Sequence, residues 1–109
     1  MPARVPTLAE FEQIVLLAIL RLGDTAYGVA IMDEIERHTG RAVSRGALYV
    51  TLDRLEAKGL IESRMGDPTP QRGGRARRYV TVTPLAVRAL RDTRRSLLSL
   101  WRGLEAELR

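Results

Sequence analysis

The chain has no cysteine and one histidine, His38, among its 109 residues. The missing cysteines exclude disulfides and thiolate metal sites, and they are typical of a protein in a reducing compartment. A single histidine also excludes His-rich metal sites and most acid–base schemes that use histidine. We therefore expect a cytoplasmic protein with no metal, no cofactor and no catalytic site.

Long hydrophobic runs are also missing. The longest apolar run covers residues 14–20, whereas a membrane-spanning helix needs about 20 apolar residues. The first residues, Met-Pro-Ala-Arg-Val-Pro, lack the apolar stretch of a signal peptide. We expect neither export nor a membrane partner.

Positive charge is unevenly distributed. Residues 1–40 carry three arginines against six acids, whereas residues 41–95 carry thirteen basic residues against five acids. Basic charge concentrated on one segment of a small domain is typical of a protein that binds a polyanion such as nucleic acid. The alternative is an ordinary solvated surface.

Capping signals predict where the first two helices begin. Thr7 and Glu10 have the spacing of a capping box, which predicts a helix over 8–22. Asp24 or Thr25 is expected to cap a second helix that ends near His38. The second helix is expected to turn Val29, Ile31, Met32 and Ile35 inward and Asp33, Glu34, Glu36 and Arg37 outward.

The middle of the chain predicts a helix followed by a hairpin. A short extended link, 41–43, precedes Ser44, which is expected to cap a third helix over 45–58 that ends at Gly59. Residues 60–65 and 79–82 predict two paired strands. Together with a last helix opened by Thr83 and Pro84, the order predicts a mainly α fold with a small β-hairpin, which is a winged helix-turn-helix. Residues 1–83 form the winged-helix part and residues 84–109 the C-terminal helix of one compact unit.

The third helix has an unusual outward face. Leu48, Leu52 and Leu55 fall on one side and are expected to be core. Short side chains on the opposite side would let the helix backbone approach the floor of a DNA major groove; an ordinary amphipathic helix is the alternative. That outward face includes Gly46, Val50, Asp53, Arg54 and Ala57, flanked by Tyr49, with Ser44 and Arg45 at its start.

The hairpin tip is basic and turn-forming. Such a tip can follow a phosphate backbone or enter the minor groove, although it can also be a solvated loop. Its arginines are Arg72, before two consecutive glycines, and Arg75, Arg77 and Arg78 after them.

These segments resemble the PadR family of transcriptional regulators. Residues 45–61, Arg-Gly-Ala-Leu-Tyr-Val-Thr-Leu-Asp-Arg-Leu-Glu-Ala-Lys-Gly-Leu-Ile, are similar to the family's Gly-x-Leu-Tyr-Pro-x-Leu-x-Arg-Leu-Glu-x-x-Gly-Leu-Ile pattern. Residues 73–79 and 82–83 are similar to its Gly-Arg-x-Arg-Lys-Tyr-Tyr-x-Leu-Thr run. The sequence departs from the pattern at Val50, where proline is usual, and at 84–86, where Glu-Lys-Gly is usual.

The resemblance implies a homodimeric repressor that binds a palindromic DNA operator, so that the chain associates with the nucleoid when bound. It implies DNA contacts from Ser44, Arg45, Tyr49, Arg54 and the hairpin arginines, to which the shape of the helix face adds Gly46 and Val50. A winged helix that contacts another protein, without binding DNA directly, is the alternative function.

The first and last helices predict a dimer interface. The first helix is apolar on more than one face, and the last carries a coiled-coil-like seam with Val87 in phase and Arg94 interrupting it. One small domain cannot cover both. We expect interface positions at Phe11, Val15, Leu90, Leu97, Trp101, Leu104 and Leu108.

The resemblance also implies a possible effector. Some members of the family admit flat aromatic molecules at the dimer centre beside a tryptophan of the last helix. In this chain Trp101, with Phe11, Val15 and Ala18, would line such a site; the alternative is that Trp101 is simply a packing residue at the interface.

Overall fold

The computed structural model describes residues 5–67 and 76–109. Within them the chain forms three helices, a two-stranded hairpin and a fourth, longer helix, which is the winged-helix arrangement expected from the sequence. No helix in these residues is long and apolar enough to cross a membrane. In chain order the elements are α1 Glu10–Leu22, a 3-10 turn Gly23–Thr25, α2 Gly28–Thr39, α3 Arg45–Ala57, β1 Ile61–Met65, β2 Arg78–Val82 and α4 Pro84–Trp101.

Helix α1 begins two residues later than predicted, and the capping box expected from Thr7 and Glu10 is wrong. The Glu12 carboxylate instead accepts a hydrogen bond from the backbone amide of Ala9 at 2.9 Å. Ala9 is the capping residue and has no side-chain oxygen. The glutamate therefore provides half of a capping box from the third helical position, and this contact sets where the helix starts.

Helix α2 also begins later than predicted. The prediction that Asp24 or Thr25 caps it is wrong, because these residues form the 3-10 turn and the helix starts at Gly28. Two of the predicted orientations are also wrong, since Val29 is 44% exposed and Glu34 is 7% exposed. Glu34 can be buried because its carboxylate is paired with His38 and Arg37 on the same helix.

Helix α3 and the hairpin follow their predicted bounds within one residue. The Ser44 hydroxyl accepts a hydrogen bond from the Ala47 amide at 3.1 Å, and Gly59, at φ +74°, ends the helix in the left-handed region that favours glycine. Strands β1 and β2 pair antiparallel, with Ile61 opposite Val82. The link 41–43 is not a strand.

Helix α4 ends earlier than predicted. Thr83 caps it by accepting from the Ala86 amide at 3.3 Å, and Pro84 occupies the first turn as expected. The helix stops at Trp101 rather than near residue 108, and Gly103 has φ +86°. The predicted seam is therefore not continuous on one helix, because Leu104 and Leu108 lie beyond its end.

The core lies where α1, α2, α3 and the hairpin meet. The predicted inner face of α3 is fully buried there. Helix α4 contributes the buried Ala86 and Ala89, and the partly buried Leu85 and Leu90 pack against the core. Fully buried large side chains are Val15, Leu16, Ile19, Ile31, Ile35, Leu48, Leu52, Leu55, Leu60, Ile61 and Val80.

A buried ion pair fixes the end of α3 against the start of α1. The Glu12 carboxylate, whose side chain is 4% exposed, accepts from Lys58 Nζ at 2.8 Å. Burial by itself would raise the pKa of Glu12. The hydrogen bonds from Lys58 and Ala9, with the positive charges of Lys58 and Arg54, outweigh burial and lower the pKa below its usual value.

We expect Glu12→Gln to lower the free energy of unfolding at neutral pH by about 2 kcal/mol, because it removes a charged hydrogen bond from a buried position. A carboxyl with a lowered folded-state pKa stabilises the protein above its unfolded pKa and loses that contribution as the pH falls through the folded value. The difference between the two proteins should therefore shrink below about pH 4. Urea unfolding at several pH values measures it.

Glu10→Gln is the matched control on the same helix. The Glu10 side chain is 77% exposed and pairs with Arg41 at 3.2 Å, so its removal should cost at most about 0.5 kcal/mol. Equal losses in the two variants would contradict the role assigned to Glu12.

Candidate nucleic-acid interface

The outward surface of α3 is formed by small or short side chains at helical spacing. Gly46, Val50, Asp53 and Ala57 lie three or four residues apart and are exposed, with Val50 at 59%. A Cβ built on Gly46 would have no described atom within 4 Å, so packing within the chain does not require glycine there. This surface, which we call the α3 face, is bare and accessible as predicted.

The first turn of α3 packs on the start of α2. Tyr49 is half-buried, and a Cβ on Gly28 would lie 2.5 Å from its hydroxyl oxygen. Glycine at position 28 therefore allows the Tyr49 ring to cross the beginning of α2. This contact fixes the angle between the two helices, and Arg45 remains exposed beside it.

A cleft opens between this turn and the base of the hairpin. It has a volume of about 460 Å³ and brings together residues distant in the chain. Three of the lining side chains, those of Arg45, Arg77 and Arg78, are positively charged, so the cleft is suited to an anionic group. Its lining residues are Tyr27, Gly28, Val29, Arg45, Tyr49, Ala76, Arg77 and Arg78.

Stacked aromatic and guanidinium groups hold the base of the hairpin. The rings of Tyr27 and Tyr79 meet edge to face at 5.7 Å between centroids. The Arg77 guanidinium lies 4.1 Å from the centroid of Tyr27, and that of Arg64 lies 4.6 Å from the centroid of Tyr79. The two strands are thereby tied to the segment before α2, and Arg77 is held at the cleft.

Arg78 has a different environment from Arg77. Its guanidinium pairs with Asp53 and Glu56 of α3 at 3.0 Å each, and its Nε donates to the Ser63 hydroxyl at 3.0 Å. Partial burial would lower the pKa of Arg78, but the hydrogen bonds and charges of the two carboxylates raise it overall. The pKa of Glu56 is lowered by hydrogen bonds from Ser63 and then from Arg78.

The structure brings several of the predicted DNA-contact residues together. Arg45, Tyr49, Arg77 and Arg78 meet at the cleft, and Gly46 and Val50 continue onto the α3 face. The Ser44 hydroxyl oxygen accepts the cap hydrogen bond, and its O–H remains able to donate. Arg54 is exposed, and its charge acts on Glu12 of α1.

Two other predicted contacts, Arg72 and Arg75, lie outside the described residues. Sequence reasoning did not assign Tyr27 and Arg64 to the hairpin base. Tyr27 contacts Arg77, and Arg64 contacts Tyr79. The two members of each pair are far apart in the sequence, so no local spacing of residues predicts these contacts.

A second surface is the groove between α1 and α4, with a volume of about 570 Å³. It exposes apolar side chains from both helices, and Trp101 lies at one end, 45% exposed. Val87, Leu90 and Leu97 line it as the sequence predicted for the seam. The groove is lined by Gln13, Leu17, Leu20, Val87, Leu90, Arg91, Arg94, Leu97, Leu98 and Trp101.

The prediction of which α1 residues lie on this surface is wrong in part. Val15 is fully buried in the core and Ala18 is 5% exposed, so neither can form an interface or line an effector site in the groove. Phe11 lies under the Arg41 guanidinium, 5.9 Å from its ring centroid. The exposed apolar residues of α1 are instead Leu17 and Leu20, at 50% and 47%.

Metal-binding chemistry does not appear in residues 5–67 and 76–109, where no group of three or more histidine or carboxylate residues could hold an ion.

The α3 face with its adjoining hairpin base has the layout of a winged-helix transcription factor. A scan of family models matches residues 16–92 to the transcriptional regulator PadR-like family. The chain belongs to this family, which consists of transcriptional regulators rather than enzymes.

Similar proteins agree with this membership. The chain is 45% identical over 78 residues to transcriptional regulator Rv3488 of Mycobacterium tuberculosis, covering 70% of this chain and 66% of that protein. The chain thus spans slightly less than two thirds of this relative's length.

Solved structures show the same fold. A transcriptional regulator from Clostridium thermocellum superposes with a TM-score of 0.71 at 23% identity, covering 90% of this chain and 92% of that one. A PadR family regulator from Eggerthella lenta superposes with a TM-score of 0.64 at 27% identity, covering 88% and 84%.

Proposed function

We propose that this protein is a sequence-specific DNA-binding repressor that acts as a homodimer on a palindromic operator. The observation that carries this proposal is the α3 face. It is accessible, its glycine is not required by packing within the chain, and it starts beside a cleft whose lining includes Arg45 and Arg77. A helix with this surface can enter a major groove while the flanking arginines meet phosphates.

Residues at the start of α3 are proposed to read base edges. Arg45 and Tyr49 lie on its first turns, next to Gly46 and Val50, and the N-terminal part of a recognition helix is the part that contacts bases. Arginine can donate two hydrogen bonds to guanine, which gives strong discrimination. Ser44 holds this turn in place through its cap and offers its exposed position to a phosphate.

The hairpin is proposed to contact the backbone. Arg77 is held over Tyr27 at the cleft, and Arg72 and Arg75 are assigned to the same role from the sequence. Arg54, exposed farther along α3, would meet a phosphate beyond the groove. Phosphate contacts position a protein on DNA without selecting the sequence.

The homodimer is proposed to form through the groove between α1 and α4. Beyond Leu90 no described residue of α4 is buried in the monomer, although this half carries four leucine or tryptophan residues. A second copy would cover these side chains together with Leu17 and Leu20 of α1. A two-fold axis there would present two α3 helices to a palindrome.

A flat aromatic effector is proposed to bind beside Trp101 in the groove, with Leu17 and Leu20 taking the place first expected for Val15 and Ala18. Indole offers a large apolar surface for stacking at little cost in entropy. A molecule inserted there would change the separation of the two α3 helices, which must stay near one DNA turn. Repression would then be relieved.

We expect planar aromatic compounds to quench the fluorescence of Trp101, the one tryptophan of the chain, and to weaken operator binding over the same concentration range. The reporter is unambiguous because no other indole contributes. Quenching with unchanged DNA affinity would show a binding site without a switch. Failure of all compounds in a varied panel to quench would contradict the effector proposal.

A mobility-shift titration tests the proposed function. The duplexes are the DNA next to the protein's own gene and a scrambled duplex of equal composition. We expect at least about a 1,000-fold preference for the former at physiological salt, with an affinity that falls as salt rises. Equal affinity for both would contradict sequence-specific binding, and no binding to either would favour the protein-contact alternative.

A further inference from the structure

Arg78 of the hairpin makes all its observed polar contacts within the chain. Its Nη1 donates to Asp53, its Nη2 to Glu56 and its Nε to Ser63, each at 3.0 Å. The side chain is 21% exposed. Three of the five N–H donors of the guanidinium are therefore directed at oxygens of the chain, and two carboxylates already balance its charge.

The two carboxylates lie on the helix that carries the proposed DNA contacts. Asp53 belongs to the α3 face, one turn after Val50, and its side chain is 72% exposed. Glu56 follows at 46%. Exposed carboxylates at this position would repel DNA phosphates, because like charges within a few ångströms disfavour association.

We propose that Arg78 is a positioning residue that neutralises Asp53 and Glu56, and so keeps the α3 face acceptable to a polyanion, rather than a residue that contacts DNA itself. This inference rests on the proposed DNA binding. It replaces the direct phosphate contact that the sequence suggested for Arg78. Its partner Ser63, which also donates to Glu56, keeps the arginine aligned with the acids.

The three roles that Arg78 could have predict different DNA affinities when its removal is combined with removal of the acids. If Arg78 neutralises the acids, its removal is harmful only while the carboxylates carry charge. If it contacts a phosphate, its loss is the same whether or not the acids are present. If it acts only by holding the hairpin to α3, removing the acids cannot restore what its loss destroys.

The experiment compares operator binding by the wild-type chain, Arg78→Ala, the double variant Asp53→Asn with Glu56→Gln, and the triple variant that combines them. We expect Arg78→Ala to bind at least about 10-fold more weakly, in the range of charge effects at protein–DNA contacts. The triple variant should bind within about 3-fold of the double variant, because no charged acids remain there for Arg78 to neutralise. Circular dichroism confirms in each case that the helices are retained.

Arg37→Ala is the matched control. Arg37 also pairs with a carboxylate, that of Glu34 at 3.4 Å, but it lies on α2 and does not line the cleft. Its removal takes away the same positive charge and should change affinity by less than about 3-fold, as expected for an exposed contact, and the acid-to-amide changes should not alter that effect.

A triple variant at least about 10-fold weaker than the double variant would overturn the inference. In that case, a salt slope reduced by about one unit would identify a direct phosphate contact, and an unchanged slope would identify a purely structural link. Failure of the wild-type chain itself to bind any duplex would overturn the proposed function instead, so the two failures are distinguishable.

Discussion

Val50→Glu is expected to lower the affinity for operator DNA by about 100-fold or more. Val50 is 59% exposed at the centre of the α3 face, where the proposed binding mode brings it against the groove floor. A carboxylate placed there faces phosphates and base edges, and like-charge contacts in an interface cost several kcal/mol. About 3 kcal/mol corresponds to a 100-fold change in affinity. Fluorescence anisotropy with a labelled operator measures it.

Val50→Thr is the matched control for this prediction. It keeps the branched shape and adds no charge. Because the position is exposed, the change does not disturb the packing of the core. We expect it to fold normally and to bind within about 10-fold of the wild type, the effect of one altered base contact. Equal binding by the threonine and glutamate variants would show that the α3 face does not approach DNA.

Leu98→Glu is expected to convert the proposed homodimer to a monomer. Leu98 is 49% exposed in the monomer and lines the groove between α1 and α4 with Leu17 and Trp101. A carboxylate at this position would have to lose its water in the interface, and even with Arg94 one turn away this desolvation costs several kcal/mol, which is enough to dissociate a dimer at micromolar concentration. Light scattering should give the 12.2 kDa mass of one chain for the variant and twice that for the wild type.

Leu100→Glu provides the comparison. Leu100 is on the same helix and more exposed, at 72%, but it does not line the groove. This variant should remain dimeric. Dissociation caused by Leu100→Glu but not by Leu98→Glu would place the interface on another side of α4.

Elements with local signals were predictable from sequence. Ser44, the leucines at 48, 52 and 55, and Gly59 define the start, the buried side and the end of the thirteen-residue helix α3. The β-branched run before Thr83 and the proline after it marked β2 and the start of α4 in the same way. These signals need no information from distant parts of the chain.

The errors arose where several local signals compete. Glu12 rather than Glu10 closes the start of α1, because Glu12 also reaches Lys58, a partner 46 residues away. Helix α1 is apolar on several sides, so periodicity could not say that Val15 faces the core and Leu17 the solvent. The packing of α2 and α3 decides this, and it is not visible in the sequence of α1.

The candidate site also has one part that local sequence signals predict and another part that depends on contacts distant in the sequence. Gly46 and Val50 were identifiable because they break the pattern of a solvated helix face. The partners of Arg78 lie 25 and 22 residues away, so a cluster of four arginines could not be divided by sequence into contact and positioning residues. The packing of the hairpin against α3 shows the difference between the two arginines: Arg78 pairs with acids of α3, whereas Arg77 stacks on Tyr27.

The most direct test of the central claim is selection of binding sites from a pool of random duplexes by the purified full chain. Two α3 faces related by a dimer axis should enrich an inverted repeat whose half-sites have centres about 10 base pairs, or one DNA turn, apart. The Val50→Glu variant should enrich no sequence. Recovery by the wild-type chain of an unchanged random pool, or of single half-sites without symmetry, would contradict the account.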